Sequence, residues 1–178
     1  MSQRFRVDLG GMVDLLSHHL YSGPHVYLRE LLQNAVDAVT ARLAEDPAAP
    51  ATIRLTSDTE ADGATVLVVT DSGVGLTSDE ATELLATIGR SSKRDPHGLG
   101  VAHYLGQFGI GMLTAFMVAD RIEVTSRSAR PGTVPTVWVG RSDGTFEVSD
   151  LPPGPSAGAT AVGTTVRLWA RRGSEHWL

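Results

Sequence analysis

A polar stripe on one predicted helix is the first feature of the sequence that could carry chemistry. Glu30, Asn34 and Asp37 are spaced so that they lie one turn apart on a single helix face. Asn34 is the only asparagine of the chain, and an asparagine inside a helix competes for backbone hydrogen bonds. A carboxylate can take a proton from an attacking water, and an amide oxygen can ligate Mg²⁺. A solvated helix face is the commoner origin of such a stripe.

A second polar cluster, residues 71–75 (DSGVG), directly follows an apolar run. A dinucleotide-binding turn would need a third glycine where Ser78 stands, and it would not place Asp71 beside a pyrophosphate. A carboxylate at a strand end suits a hydrogen-bond donor instead, such as the exocyclic amine of adenine. Gly73 and Gly75 would let the backbone approach a ligand closely. The alternative is a strand that simply ends in a tight turn.

A third cluster, residues 106–111 (GQFGIG), leads into a mostly apolar segment, and we predict a helix over 107–118. The free amides and the positive dipole end of a helix N-terminus attract phosphate. No predicted strand directly precedes this cluster, which again disfavours a dinucleotide fold. A glycine-rich helix start by itself is also found in proteins that bind no phosphate.

Two patterns that suggest a metal site do not meet its requirements. Residues 58–63 resemble the start of a calcium-binding loop, but the twelfth position, which needs a bidentate Glu, is Val69. His18 and His19 are adjacent and would point to different faces of a helix. We therefore expect no metal site built from these residues.

The composition excludes several classes of function. The chain has 178 residues, 42% of them hydrophobic, which suits a single domain with its own core. Its net charge of -5 provides no basic surface for nucleic acid, and the absence of cysteine excludes disulfides and thiol catalysis. The sequence shows no leader and no apolar run of membrane-spanning length. We expect a cytoplasmic protein without a nucleic-acid or membrane partner.

Hydrophobic periodicity places the polar clusters on an α+β fold. A helix is predicted from 24 to about 44, with the polar stripe opposite an apolar side formed by Leu28, Leu31, Leu32, Ala35, Val39 and Leu43. A helix over 78–87 begins at a capping box of Thr77 and Glu80. A further helix is predicted over 12–20, and strands over 4–9, 51–57, 64–70, 121–127, 134–140, around Phe146 and over 164–170. Helices that precede strands suggest a sandwich with the helices on one face of the sheet.

The three clusters, in this order, resemble motifs of the GHKL ATPase superfamily, and most of all the nucleotide-binding domain of the heat-shock protein 90 chaperones. Residues 21–38 are similar to the first motif, 71–77 to the second and 106–120 to the third, while Gly163-Thr164 resembles the fourth. Residues 87–92 resemble the start of the family's lid. The Gln-Phe pair of the third motif favours the chaperone branch over histidine kinases and over mismatch-repair or topoisomerase relatives. The family usually has Met where Leu76 stands.

The resemblance implies a fold, a ligand and an activity. The fold would be a two-layer α/β sandwich of the GHKL (Bergerat) type, with a mostly antiparallel sheet and helices on one face. The ligand would be ATP or ADP with Mg²⁺, and the activity ATP hydrolysis. Glu30 would be the general base, held by Arg29, and Asn34 would ligate Mg²⁺. Asp71 would accept a hydrogen bond from the adenine amine, with Thr164 nearby through water.

The resemblance also implies nucleotide contacts along the other motifs. Gly75 would line the base pocket, the glycines of the third motif would cradle phosphate, and Lys93 would reach phosphate when a lid at 89–105 closes. The full implied set of nucleotide-binding residues is Asn34, Asp37, Asp71, Gly73, Gly75, Leu76, Lys93, Gly106, Gln107, Phe108, Gly109, Ile110, Gly111 and Thr164.

The resemblance further implies that residues 1–178 are the N-terminal nucleotide-binding domain of a longer chaperone. That whole protein would be a homodimer through a distant C-terminal domain and would act on client proteins in a stress response. This piece would be monomeric or weakly dimeric. Two alternatives stay open: a nucleotide-gated binding module that hardly hydrolyses ATP, and a catalytic domain of the histidine-kinase type.

Overall fold

The structure, a computed structural model, describes residues 3–4, 25–86, 111–151 and 161–178. The predicted helix over 12–20, the candidate lid at 89–105 and residues 106–110 lie outside these ranges, and so does Lys93. Of the strand predicted over 4–9, only its first residue is described, in the two-residue strand β1 (Gln3–Arg4). The roles predicted for the residues outside these ranges stay predictions.

The helix predicted from 24 to about 44 is present as α1 (Val26–Glu45). It ends where the Asp46 N–H donates to the Arg42 carbonyl at 2.8 Å, directly before Pro47. The beginning of α1 is attached to the end of the chain, because the Tyr27 hydroxyl donates to the Trp177 carbonyl. The ring of His25 meets that of Trp177 edge-on, with 4.8 Å between centroids.

Seven strands form a single sheet in the described part of the chain. After β1 come β2 (Ile53–Thr59), β3 (Thr65–Asp71), β4 (Ala119–Arg127), β5 (Thr136–Arg141), β6 (Thr145–Asp150) and β7 (Gly163–Ala170). Their order is β1-β6-β5-β4-β7-β3-β2, and each described pairing is antiparallel. The strands predicted beyond residue 50 are confirmed, with ends displaced by a residue or two. Because β7 lies between β4 and β3, its first residues are adjacent to the last residue of β3.

The capping box predicted for the second helix is confirmed at the start of α2 (Ser78–Ala86). The Thr77 N–H donates to Glu80 Oε2 at 2.9 Å, and the Glu80 N–H donates to Thr77 Oγ1 at 3.3 Å. This reciprocal pair satisfies two N–H groups that the helix itself cannot use. The Arg130 guanidinium adds an ion pair to Glu80 at 2.9 Å.

The helix predicted over 107–118 is wrong at its end. Within the described residues, α-helical geometry covers only α3 (Gly111–Thr114), and a 3₁₀ turn follows at Ala115–Met117. The physical reason is the next strand: the Val118 carbonyl accepts from the Arg171 N–H at 2.8 Å, and Ala119 already belongs to β4. Sheet pairing therefore ends the helix earlier than its apolar pattern suggests.

The helices lie on one face of the sheet, which confirms the predicted α+β sandwich. Helix α1 packs against β2, β3 and α3, while α2 packs against β5 and β6. The core between the layers consists of buried apolar side chains from α1, the 3₁₀ turn and the sheet: Tyr27, Leu31, Leu67, Val69, Ala115, Phe116, Val118, Ala119, Ile122, Val124, Trp138, Phe146, Val166 and Leu168.

The buried face of α1 is rotated from the predicted one. Its buried residues are Tyr27, Leu31, Ala35, Ala38 and Val39. Leu28, Leu32 and Leu43 are only partly buried. The rotation arises because Tyr27 and Ala38, which were not assigned to the apolar side, contact the chain end and the turn after β3. The polar stripe therefore borders the buried face and does not lie opposite it.

Candidate functional site

Asp71 is a half-buried carboxylate at the end of β3, at the junction between three parts of the chain. Its Oδ1 accepts from the Gly73 N–H at 2.8 Å, and the Thr164 N–H of the neighbouring β7 also donates to the carboxylate. Burial raises the pKa of Asp71 from its ordinary 3.8 to about 6, and the two N–H groups only partly oppose this increase. The carboxylate is therefore held in place and can still accept a hydrogen bond from a ligand.

The turn after Asp71 is fastened directly to α1. The Val74 N–H donates to the Ala38 carbonyl at 3.1 Å. A Cβ on Gly73 would lie 2.5 Å from the Ala38 Cβ, so no larger residue fits between turn and helix. The space that glycine provides at this position is filled by α1, and the predicted approach of a ligand to Gly73 stays a prediction.

Gly75 is required by the backbone of the same turn. Its φ is +64°, a left-handed conformation that costs other residues free energy. A Cβ at this position would lie 2.0 Å from the Arg127 carbonyl oxygen. A hydrogen bond also attaches the turn to the chain just after β4, because the Ala129 N–H donates to the Val74 carbonyl at 2.7 Å. The turn is thus held between α1 on one side and the end of β4 on the other.

Buried Ser126 connects this turn to the beginning of β7. Its Oγ accepts from the Leu76 N–H at 2.8 Å, donates to the Gly163 carbonyl at 3.1 Å and lies 2.9 Å from Thr164 Oγ1. A hydroxyl has one donor and two acceptor positions, so this arrangement makes the Thr164 hydroxyl the donor to Ser126. Among the described residues, no donor occupies the lone pairs of Thr164, which lies on the same strand pair as Asp71.

Arg42 connects the helix, the turn and the loop before β7. Its Nη1 donates to the Ser72 carbonyl at 2.8 Å and to the Val162 carbonyl at 3.3 Å. Arg42 and Ser126 hold the turn after β3 in place, and neither residue belongs to the sequence motifs described above. For Arg42 a signal existed, since it lies one turn after Ala38 on what proves to be the buried side of α1. For Ser126, which lies two residues after Val124 on the same buried face of β4, the sequence offers no distinguishing mark.

The polar stripe lies on the half-buried border of α1. The Glu30 side chain is 23% exposed and pairs with the more exposed Arg29 at 3.5 Å. Asp37 Oδ1 accepts a hydrogen bond from Gln33 Nε2 at 2.9 Å. Asn34, which lies between Glu30 and Asp37 in the stripe, is half-buried. The partial burial argues against a fully solvated face.

The structure brings the stripe and Asp71 to the same side of the molecule. Asn34 lies one helical turn, about 6 Å along the axis, before Ala38, which contacts Gly73. Glu30 lies one further helical turn along α1, away from the loop that follows β3. A ligand that contacts Asp71 and extends along α1 toward its N-terminus therefore passes Asn34 before Glu30.

The donors on this path suit Mg²⁺ held mainly by a ligand's own oxygens. Among the described residues, no group of three or more His, Asp and Glu side chains could form a metal cage. Mg²⁺ commonly takes one or two protein oxygens and completes its shell with phosphates and water. The amide oxygen of half-buried Asn34 fits that requirement, with Asp37 one turn away.

The phosphate end of the predicted site is described only at its border. Gly111 is the first residue of α3, and α3 packs against α1. Gly106, Gln107, Phe108, Gly109 and Ile110 lie outside the described residues, as stated above. Leu76 is buried, and its backbone N–H donates to Ser126 Oγ, while its predicted contact with a base stays a prediction.

None of the described helices combines the length and apolarity needed to cross a bilayer.

Comparison with known proteins gives matches over most of the chain. Chaperone protein HtpG of Azorhizobium caulinodans is 35% identical over 180 residues, covering 94% of this chain and 28% of that protein. Chaperone protein HtpG of Methylobacterium nodulans is 36% identical over 188 residues, covering 98% and 29%. Mitochondrial heat shock protein 75 kDa of Bos taurus is 34% identical over 155 residues, covering 82% and 22%.

The chain thus spans less than a third of the length of each of these relatives. A family model described as histidine kinase-, DNA gyrase B-, and HSP90-like ATPase matches residues 21–156. The matched range contains the polar stripe, the Asp71 turn and the third glycine cluster, and the match confirms the resemblance inferred from those motifs. The chain therefore belongs to the histidine kinase-, DNA gyrase B-, and HSP90-like ATPase family.

Proposed function

We propose that this chain binds ATP with Mg²⁺ and hydrolyses it, as the nucleotide-binding domain of a chaperone of the heat-shock protein 90 type. The observation that supports this most is Asp71. It is a half-buried carboxylate held by the N–H groups of Gly73 and Thr164, with capacity left to accept the exocyclic amine of adenine. The Thr164 hydroxyl, which donates to Ser126, keeps lone pairs for a water beside the base.

The polar stripe would serve the phosphate end of the same nucleotide. Asn34 would ligate Mg²⁺, which when bound neutralises phosphate charge, and Asp37 would support it one turn away. Glu30 would accept the proton of the attacking water, while Arg29 at 3.5 Å would orient that carboxylate. Lys93 and residues 106–111 would bind the phosphates.

The names of the relatives support the wider part of the proposal. Two are called chaperone and one heat shock protein. We propose that residues 1–178 act as the N-terminal ATP-binding domain of such a chaperone, with 89–105 as its lid. A cytoplasmic location, client proteins, a role in stress and a homodimeric whole protein belong to the same proposal.

The Asp71→Asn variant tests the assignment of the adenine end. The amide lacks the charge that strengthens a hydrogen bond from the adenine amine, so we expect ATP affinity to fall about 100-fold or more in calorimetry. The matched control is Asp62→Asn. Asp62 also accepts the backbone N–H two residues on, from Ala64 at 3.0 Å, but in an exposed turn. Its substitution should leave ATP binding unchanged, and equal affinity in both variants would remove Asp71 from the site.

A further inference from the structure

Within the described residues, strand β2 forms an outer edge of the sheet and carries exposed apolar side chains. It is the last strand in the sheet order, and all seven of its residues are exposed. Ile53 is 37% and Leu55 44% exposed, which is unusual for large apolar residues in a strand. The pairing with β3 continues over the whole strand, and β2 contains neither a bulge nor a proline. Bulges and prolines are two of the features that protect natural edge strands from unwanted pairing; of the others, β2 carries charged side chains, Arg54 and Asp58.

The direction of each backbone group of β2 follows from the bonds at its two ends. The Ser72 N–H donates to the Thr52 carbonyl at 3.0 Å, and the Glu60 N–H donates to the Ala64 carbonyl at 2.9 Å. Because these directions alternate along an antiparallel strand, even-numbered residues bond to β3. The odd-numbered residues therefore direct their N–H and C=O groups to the free edge: Ile53, Leu55, Ser57 and Thr59.

The charges of β2 are arranged so that the strand is complementary to itself. Arg54 and Asp58 lie symmetrically about Thr56, and both are exposed. In an antiparallel pair centred on Thr56, Arg54 of each copy lies opposite Asp58 of the other, giving two ion pairs. Both are non-hydrogen-bonded pairs, in which side chains approach most closely. In the monomer, the Asp58 carboxylate instead accepts the Thr59 N–H at 2.8 Å.

We propose that β2 is a pairing surface for a second copy of this chain, which joins two sheets into one through antiparallel β2–β2 contact. All seven residues of each strand take part in the register centred on Thr56. Leu55 then packs beside Ser57 of the second copy, and Ile53 beside Thr59. One strand from each copy buries less surface than a standard protein interface, so the dimer is weak and forms at high concentration.

Charge reversal tests the pairing by sedimentation velocity over a series of concentrations. Arg54→Glu and Asp58→Arg should each weaken the dimer roughly fivefold to thirtyfold, because each places like charges opposite one another twice. The double variant should restore the dimer, and a mixture of the two single variants should form a heterodimer. Asp58→Arg is the sharper test, since it reduces the net charge of -5 and would strengthen association if only overall charge mattered.

The control for overall charge is Arg172→Glu, at an exposed turn residue after β7. It makes the same charge change as Arg54→Glu and should leave the dimer intact. Circular dichroism checks that every variant folds. A chain that is monomeric at all concentrations overturns the proposal, and so does a dimer that responds to Arg172→Glu as it does to Arg54→Glu.

Cysteine cross-linking tests the register, since the chain has no cysteine of its own. Thr56 lies opposite itself across the dimer axis, with a Cα separation of roughly 4.5 Å, which is within the range of a disulfide. Thr56→Cys should therefore form a covalent dimer under mild oxidation. Ala61→Cys, at an exposed turn residue outside the strand, should stay largely monomeric. Equal cross-linking of both variants, or protection of β2 amides from exchange only on adding an unrelated extended peptide, overturns the assignment to a second copy.

Discussion

The Asp71 end and the Glu30 end of the candidate site are built differently. At the Asp71 end, the turn is fixed to α1 through Ala38 and Arg42, and to the sheet through Ser126. At the Glu30 end, the ion pairing found within the described residues is that with Arg29, its neighbour on the same helix. Among the described residues, the Asp71 end is held by two separate elements, α1 and β4, while the ion pair of Glu30 lies within α1 alone.

The difference separates two requirements of an ATPase. A binding site gains affinity when its groups are already held in the geometry of the complex. In the proposed site, the hydrogen bonds of the Asp71 end would supply this geometry. A general base also needs the attacking water and the phosphate in position, and α1 alone provides only the carboxylate. We therefore expect variants at the two ends to affect different measurable quantities.

Glu30→Ala should have the largest effect and should act on turnover alone. Removal of a general base costs roughly 10²–10⁴-fold in rate, whereas ATP affinity should stay within about threefold because Glu30 lies far from the Asp71 turn. The two quantities are measured by steady-state phosphate release and by calorimetry. Glu45→Ala is the control, an exposed acid at the last residue of the same helix. Hydrolysis at the parental rate in Glu30→Ala would contradict the role of base, whereas negligible hydrolysis by the unsubstituted protein would favour a nucleotide-gated binding module.

Gly75→Ala should lower the free energy of unfolding by more than the cost of placing alanine in a left-handed backbone conformation. Gly75 and Gly132 have similar positive φ values, +64° and +78°, but only Gly75 faces a backbone atom, the Arg127 carbonyl at 2.0 Å from its would-be Cβ. Gly132→Ala should cost about 1–2 kcal/mol in free energy of unfolding. Gly75→Ala should cost about 2 kcal/mol more, because the turn must move. Denaturant unfolding measures both, and equal losses would mean that the turn is not held tightly.

The sequence predicts the helices, strands and turns of the site better than the contacts that hold these elements together. The strands, α1 and the capping box at Thr77 follow from local patterns, because hydrophobic period and capping chemistry act over a few residues. The turn after Asp71 could also be predicted, because its two glycines lie within four residues of the acid in the sequence. The contacts of Arg42 and Ser126 could not be predicted, because they join residues that are distant in sequence. The buried face of α1 was misjudged for the same reason.

The pH dependence of binding should show whether Asp71 contacts the ligand. Its pKa in the folded chain is raised to about 6, so below pH 6 a proton competes with the donor, and ATP affinity should fall about tenfold per pH unit. Binding near pH 6 should also release a proton, which calorimetry in buffers of different ionisation enthalpy detects. Affinity that is constant between pH 5 and pH 7, after correction for ATP's own ionisation, would exclude the contact.

Stability should change with pH in the opposite direction to affinity. A carboxylic acid whose folded pKa is raised favours the folded state when it is protonated, so this contribution is complete below the unfolded pKa of 3.8 and is lost as pH rises through about 6. At pH 7 the loss is at most about 3 kcal/mol, less for a half-buried group. Asp71→Asn should remove this part of the pH dependence in thermal unfolding. It would then raise stability at pH 7 while weakening ATP binding, as expected where a fold accepts an unfavourable charge for its ligand.

Arg42→Met should have the smallest effect and should separate the two ends most finely. Methionine keeps the apolar stem but loses the donors to the Ser72 and Val162 carbonyls. Water can reach these half-buried carbonyls, so the loss in stability should be about 1 kcal/mol and the loss in ATP affinity about threefold to tenfold. Arg42→Lys, which can reach one carbonyl, should recover part of both, and Arg172→Met at the exposed turn should change neither. Turnover at saturating ATP should stay parental, because Glu30 is untouched; a fall in turnover as large as that of Glu30→Ala would show that the two ends act as one unit.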